Sequence, residues 1–86
     1  MKSIRIKNRR IGQGEPLYLI AEMACAHDGE MEKALRLVDS AVRSGADAVQ
    51  LQFFVTDELV TPDHPLHDVL RRIEFSPAVW TDLFRF

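Results

Sequence analysis

Glu22 is the only charged side chain in the run Leu17–Cys25 (LYLIAEMAC). A carboxylate in so apolar a segment must be paired, hydrogen-bonded or raised in pKa, which gives it either a functional role or a structural one, accepting loop N–H groups or an ion pair. Immediately beyond it, the short stretch Ala26–Glu30 (AHDGE) carries His27 and Asp28, groups suited either to hydrogen-bonding a substrate or to organising a loop. Gln50 and Gln52 lie two residues apart in Ala46–Phe54 (ADAVQLQFF), so on a strand they share one face while Val49, Leu51 and Phe53 share the other. Two amides on one face of an apolar strand imply either a polar cavity or a satisfied polar layer between sheet and loop. Cys25 with His27, and His64 with His67, each offer a pair of metal ligands where a zinc centre takes four, so no metal site is assigned to this chain. Neither a P-loop nor a dinucleotide fingerprint is present, and Gly12-x-Gly14 precedes a strand instead of following one.

The elements that must position these groups follow from periodicity. Residues 3–7 alternate Ile4 and Ile6 with Arg5 and Lys7 and read as a strand, with a turn at Gly12–Pro16 closing an N-terminal hairpin over about 3–16. Leu17–Cys25 tolerates burial on both faces and reads as an interior strand. From Met31 the spacing becomes helical, with Met31, Ala34, Leu35, Val38, Ala41 and Val42 on one side, Asp28 or Gly29 as cap and Gly45 as left-handed exit. A second buried strand at Ala46–Phe54 completes a βαβ unit over about 17–54, whose strands must be parallel. Val55–His64 reads as a loop and Pro65–Ile73 as a short helix. Ser76-Pro77 supplies a serine cap and a first-turn proline for a further helix.

The chain has 86 residues, of which 47% are hydrophobic, and a net charge of -2. Surface scaling for this mass gives about 5,200 Å² for a folded domain, enough for one small core and far below the roughly 250 residues of a complete β/α barrel. The near-neutral balance excludes a global field that recruits nucleic acid or an anionic membrane. Lys2, Arg5, Lys7, Arg9 and Arg10 form a local basic run that reads as one side of a solvated ribbon. A single cysteine, the lack of a signal-peptide core and the lack of any long apolar run lead to the expectation of a soluble, cytoplasmic protein with no nucleic-acid or membrane partner. A two-stranded parallel sheet leaves edges and faces that call for more structure, so the chain is expected to be an N-terminal piece of a larger α/β protein or of an assembly.

IAEMACAHDG at Ile20–Gly29 and SGADAVQLQ at Ser44–Gln52, with the helix between them and looser matches at DELVTPDHP (Asp57–Pro65) and RRIEFSPAVW, resemble the sialic acid synthase family. The resemblance implies an α/β fold, here the N-terminal hairpin, first βαβ unit and start of the second helix of a (β/α)8 TIM barrel. It further implies condensation of phosphoenolpyruvate with an N-acylamino sugar such as N-acetylmannosamine, giving a nonulosonic acid. A divalent cation, Mn or Mg, would assist, its ligands lying outside this chain, and a missing barrel segment or homodimer partner would complete the protein. The isolated chain is expected to be inactive. Carried over by position, Glu22 becomes the catalytic carboxylate, and His27, Asp28, Gln50 and Gln52 become substrate-binding. Gln50 stands where the better known synthases have a lysine that binds phosphoenolpyruvate, and an amide there removes a charge-assisted contact. Another basic group compensates, or the substrate differs, or the barrel has become a non-catalytic sugar-binding or protein-interaction element.

Overall fold

The computed structural model describes residues 2–86. Strands β1 (Ile4–Ile6) and β2 (Arg9–Ile11) pair antiparallel with Ile6 opposite Arg9, leaving Lys7 and Asn8 as a two-residue turn in which Lys7 is left-handed at φ 53°. The hairpin therefore closes by Ile11, and Gly12–Pro16 is the expected turn but lies beyond the hairpin, the Glu15 amide donating to the Gly12 carbonyl at 3.1 Å. Strand β3 (Ile20–Ala24), helix α1 (Met31–Arg43) and strand β4 (Ala48–Leu51) form the expected βαβ unit, with β3 and β4 parallel. Helices α2 (Thr56–Leu59), α3 (His67–Ile73) and α4 (Pro77–Arg85) follow.

One face of the parallel pair is covered. Met23 of β3, Ala34 of α1, Phe75, and Trp80 and Leu83 of α4 are buried together, with Met31, Leu35, Leu37, Val38, Leu51 and Val79 packed around them. Ser76 accepts the Val79 amide at 3.3 Å and Pro77 occupies the first turn, so α4 starts where its cap and proline direct it. Gly45 at φ 87° ends α1 as expected.

Several expectations need correction. Both strands are shorter than their apolar runs, because a run marks residues that tolerate burial and not residues that receive it; Leu17 is 82% exposed. Helix α1 is capped by Glu30 with no side-chain bond, and the Asp28 carboxylate turns instead to Lys33 at 2.8 Å. Val42 lies in solvent while Leu37 joins the core. The segment 55–64 is not all loop: Thr56 starts α2, its amide and hydroxyl both donating to Glu74 Oε1 at 2.8 and 2.6 Å. That carboxylate titrates below its ordinary range because the Thr56 bonds favour its charged form. Helix α3 begins at His67 and has no fully buried residue.

The accessible surface is 6659 Å², well above the roughly 5,200 Å² of a closed domain of this mass. The radius of gyration, 16.0 Å, likewise exceeds the roughly 12 Å of a compact chain of this length. The excess is apolar as well as polar: Leu17, Leu19, Ile20, Phe53, Phe84 and Phe86 are all more than half exposed.

Candidate active site at the carboxyl ends of the parallel strands

Parallel α/β sheets present their working groups beyond the carboxyl ends of the strands. Within the strands, short of those ends, Glu22 pairs in register with Gln50, so the two side chains project from neighbouring strands about 4.8 Å apart on the same face. It is the uncovered face, since Met23 and Leu51, one residue along, turn into the core. Both groups are exposed. The pairing or burial expected of Glu22 is absent among the described residues because nothing lies over this face, and Glu22 sits in the middle of the shortened β3 instead of at its end. Gln52, just past β4 and also exposed, donates Nε2 to Cys25 Sγ at 3.5 Å and so ties the chain after β4 to the chain after β3.

The backbone is least regular at this end. The register shifts between Glu22 and Ala24, Ala24 is left-handed at φ 49°, and Asp28 and Gly29 follow at 55° and 78°. Left-handed non-glycine residues cost about 1–3 kcal/mol each and persist where the surroundings enforce them. Gly29 is enforced by proximity: a Cβ there would meet the Arg72 carbonyl oxygen at 2.8 Å and Ile73 Cα at 2.9 Å.

His27, expected at a substrate, lies in the core, fully buried with its ring stacked on Phe75 at 4.2 Å and edge-on to Trp80 at 5.9 Å. Its Nδ1 accepts the Gly29 amide at 2.9 Å. Desolvation lowers its pKa from the ordinary 6.5, with Asp28 opposing. Asp28 itself is exposed, and its bond to Lys33 holds its carboxyl below the usual range. The two histidines at 64 and 67 do not converge: His64 Nδ1 accepts the Leu66 amide at 3.0 Å, while His67 Nε2 meets Asp57 Oδ1 at 2.8 Å. Among the described residues no group of three or more His, Cys, Asp or Glu side chains could hold a metal ion. The described residues therefore do not by themselves fit the divalent cation that the resemblance implies.

At the opposite, amino end, Asp47 accepts the Leu19 amide at 2.8 Å and an ion pair from Arg9, whose other nitrogen donates to the Leu17 carbonyl at 3.2 Å. The clasp fastens the hairpin to the βαβ unit. Asp47 lies within the SGADAVQLQ segment and was not singled out in the sequence; the one signal that could have found it is that an acid just ahead of an apolar strand needs a partner. Phe75 and Trp80, which hold His27, gave no such signal.

A mixed α/β chain with a carboxylate and two amides at the carboxyl end of a parallel pair matches known proteins over nearly its whole length. No protein-family model matches the chain. It is 37% identical over 67 residues to the spore coat polysaccharide biosynthesis protein SpsE of Bacillus subtilis, covering 78% of this chain and 18% of that protein. The N,N'-diacetyllegionaminic acid synthase of Legionella pneumophila is 43% identical over 49 residues, covering 57% of this chain and 14% of that one. In three dimensions, the crystal structure of the N-acetylneuraminic acid synthetase of Leptospira borgpetersenii superposes with a TM-score of 0.88 at 26% identity, covering 98% of this chain and 30% of that one. The chain is a relative of the sialic acid and nonulosonic acid synthases, and it spans less than a third of the length of these proteins. Among the described residues no helix is long and apolar enough to cross a membrane.

Proposed function

We propose that the protein carrying this chain condenses phosphoenolpyruvate with an open-chain N-acylamino sugar to give a nonulosonic acid. In this reading the chain supplies the hairpin and the first two strands of a (β/α)8 barrel, with further βα units or a partner copy lying over its open face. The observation that carries the reading is the register that sets Glu22 beside Gln50 on the uncovered face of two parallel strands, in a relative of nonulosonic acid synthases.

The reaction joins the enolpyruvyl C3 to the sugar aldehyde carbon. Water adds at C2, and the tetrahedral adduct expels inorganic phosphate to leave the 2-keto acid. A divalent cation, when bound elsewhere in the complete protein, would polarise the aldehyde. Within this chain, the Glu22 carboxylate accepts a hydrogen bond from a sugar hydroxyl or from the water that adds, and takes up a proton there. Gln50 and Gln52 offer amide N–H donors to the carboxylate or phosphate oxygens of phosphoenolpyruvate, and Asp28 faces solvent at the mouth of the same loop.

The test is phosphate release from phosphoenolpyruvate by the complete protein with a panel of N-acylamino sugars and divalent metals. Sugar-dependent release is expected, and Glu22→Gln should lower it by about 10²–10⁴-fold. No sugar-dependent release under any of these conditions overturns the reading. Sugar binding without turnover would instead make the protein a non-catalytic binding module, the reading that the neutral Gln50 favours.

A further inference from the structure

The turn joining β3 to α1 is held by an unusual set of contacts. Its backbone bonds are short-range: Ala26 N to the Met23 carbonyl at 3.1 Å, Asp28 N to Cys25 at 3.2 Å and Glu30 N to His27 at 2.9 Å. They leave the Gly29 N–H, at the junction of left-handed Asp28 and Gly29 just ahead of α1, to the imidazole of His27. An N–H donor at Nδ1 requires a lone pair there, so the ring is neutral and carries its proton on Nε2. Nε2 is buried without a hydrogen-bond partner among the described residues, and the ring's stacked and edge-on neighbours are Phe75 and Trp80. On the far side of Gly29 the backbone at Arg72 and Ile73 closes against the turn. The segment from the end of α3 to the first turn of α4 thus grips the turn twice, through the imidazole and through Gly29.

We propose that His27 is a pH-gated positioning residue: as the neutral Nε2–H tautomer it latches the 25–30 turn to the α3–α4 junction, and taking up a proton releases that turn at the carboxyl end of the Glu22 strand. Protonation puts an N–H on Nδ1 facing the N–H of Gly29, two donors with no acceptor between them, and sets a charge among aromatic rings. The charged groups on the packed elements are few. Asp28 acts on the ring directly, but its carboxylate is bonded to Lys33, which also pairs with Glu30 at 3.2 Å. Glu74, just before Phe75, is turned to Thr56, and Arg72 and the Asp82 of α4 are exposed. Burial against these weak counter-charges holds the ring's pKa below 6.5, so the latch is complete above that pH and weakens as the pH falls through it toward the lower folded-state value. Placing this turn beside a sugar rests on the function proposed above; the latch does not, and its test needs no substrate.

The test is nitrogen-15 NMR of the protein between about pH 5 and 8, reading the His27 tautomer and the protection of the Gly29 amide from hydrogen exchange. The wild type should show Nδ1 unprotonated and Nε2 protonated at the upper end, with Gly29 protection falling about tenfold or more toward the lower end. His27→Asn puts an amide oxygen where Nδ1 was, so Gly29 stays protected and the response to pH becomes flat, even if the variant melts earlier. His27→Gln places its oxygen at the Nε2 end and His27→Phe keeps only the stack; both should lose Gly29 protection by about tenfold at every pH. An Nδ1–H tautomer in the wild type, or undiminished Gly29 protection in His27→Phe, overturns the proposal. The wild-type tautomer and its titration decide the matter even where a variant does not fold. Absent phosphate release from an intact latch would count against the proposed reaction alone.

Discussion

At the amino ends of β3 and β4, Asp47 receives the Leu19 amide and the Arg9 guanidinium, and none of these three residues is left-handed; the nearby left-handed residues, Lys7 and Gly45, belong to the hairpin turn and the exit of α1. Toward the carboxyl ends Glu22 and Gln50 stand side by side with nothing over them among the described residues, and Ala24, Asp28 and Gly29 are left-handed within six residues. The same two strands are thus finished in opposite ways. Satisfied polar groups and relaxed backbone favour the folded state; open polar groups and strained backbone detract from it and leave groups free for a ligand. The contrast points to the amino end as the place where the hairpin is fastened and to the carboxyl end as the place where chemistry would occur.

The most damaging way to break that contrast is to remove what enforces the strain. Trp80 is 5% exposed and touches His27, Phe53 and Phe75, so Trp80→Ala should cost about 3–5 kcal/mol, read as a lowered urea midpoint. A loss under about 1 kcal/mol would mean that the aromatic cluster is not what holds the carboxyl-end turn.

Next comes the clasp. Asp47→Ala should lower the Tm, and by more than Arg9→Ala does, because it also strands the Leu19 amide; equal shifts would reduce the clasp to its ion pair. The two ends should also fail at different acidities. Asp47 is held below its ordinary 3.8, first by the Leu19 N–H and then by Arg9, so its contribution is complete above that pH and is lost as the pH falls through the depressed value. The His27 turn should loosen in a window that opens near 6.5, well before the clasp does.

Much of this architecture was legible in the sequence because it is local. The spacing from Met31 to Val42, the Ser76-Pro77 start and the Gly45 exit each depend on residues within one or two turns, and the structure places those elements there. Asp47 and Arg9 are 38 positions apart, Glu74 and Thr56 18 apart, and His27 meets Phe75 and Trp80 only after α3 and α4 fold back. Such pairings are set by packing, to which periodicity is blind. Glu22, Gln50 and Gln52 were legible as polar residues in apolar runs, and the strand register sets Glu22 and Gln50 side by side on one face. His27 was legible as a chemical group but not as a buried one, since a histidine in a five-residue loop of small and acidic neighbours carries no mark of the aromatic rings that cover it.

The smallest expected change in stability should bring the sharpest view of the open face. Gln50→Lys alters an exposed side chain with no hydrogen-bond partner among the described residues, so its direct cost should stay within about 0.5 kcal/mol. Across the strand pair its ammonium comes beside the Glu22 carboxylate, and opposite charges so placed contribute about 0.2–1 kcal/mol, which tips the balance slightly toward stabilisation. If the face receives the phosphate or carboxylate of phosphoenolpyruvate, the added charge should also tighten binding by about tenfold, since a hydrogen bond to an ionised partner gains roughly 1.5–3 kcal/mol against about 1 for a neutral one. Calorimetric titration of the complete protein with phosphoenolpyruvate reads both the affinity and its sensitivity to salt. Tighter, salt-sensitive binding with unchanged Tm would identify Gln50 as a substrate contact that had been neutral. Unchanged affinity would move the anion elsewhere and leave Glu22 with a neutral ligand to serve, and a Tm falling by several degrees would show that what lies over this face in the complete protein crowds the longer side chain.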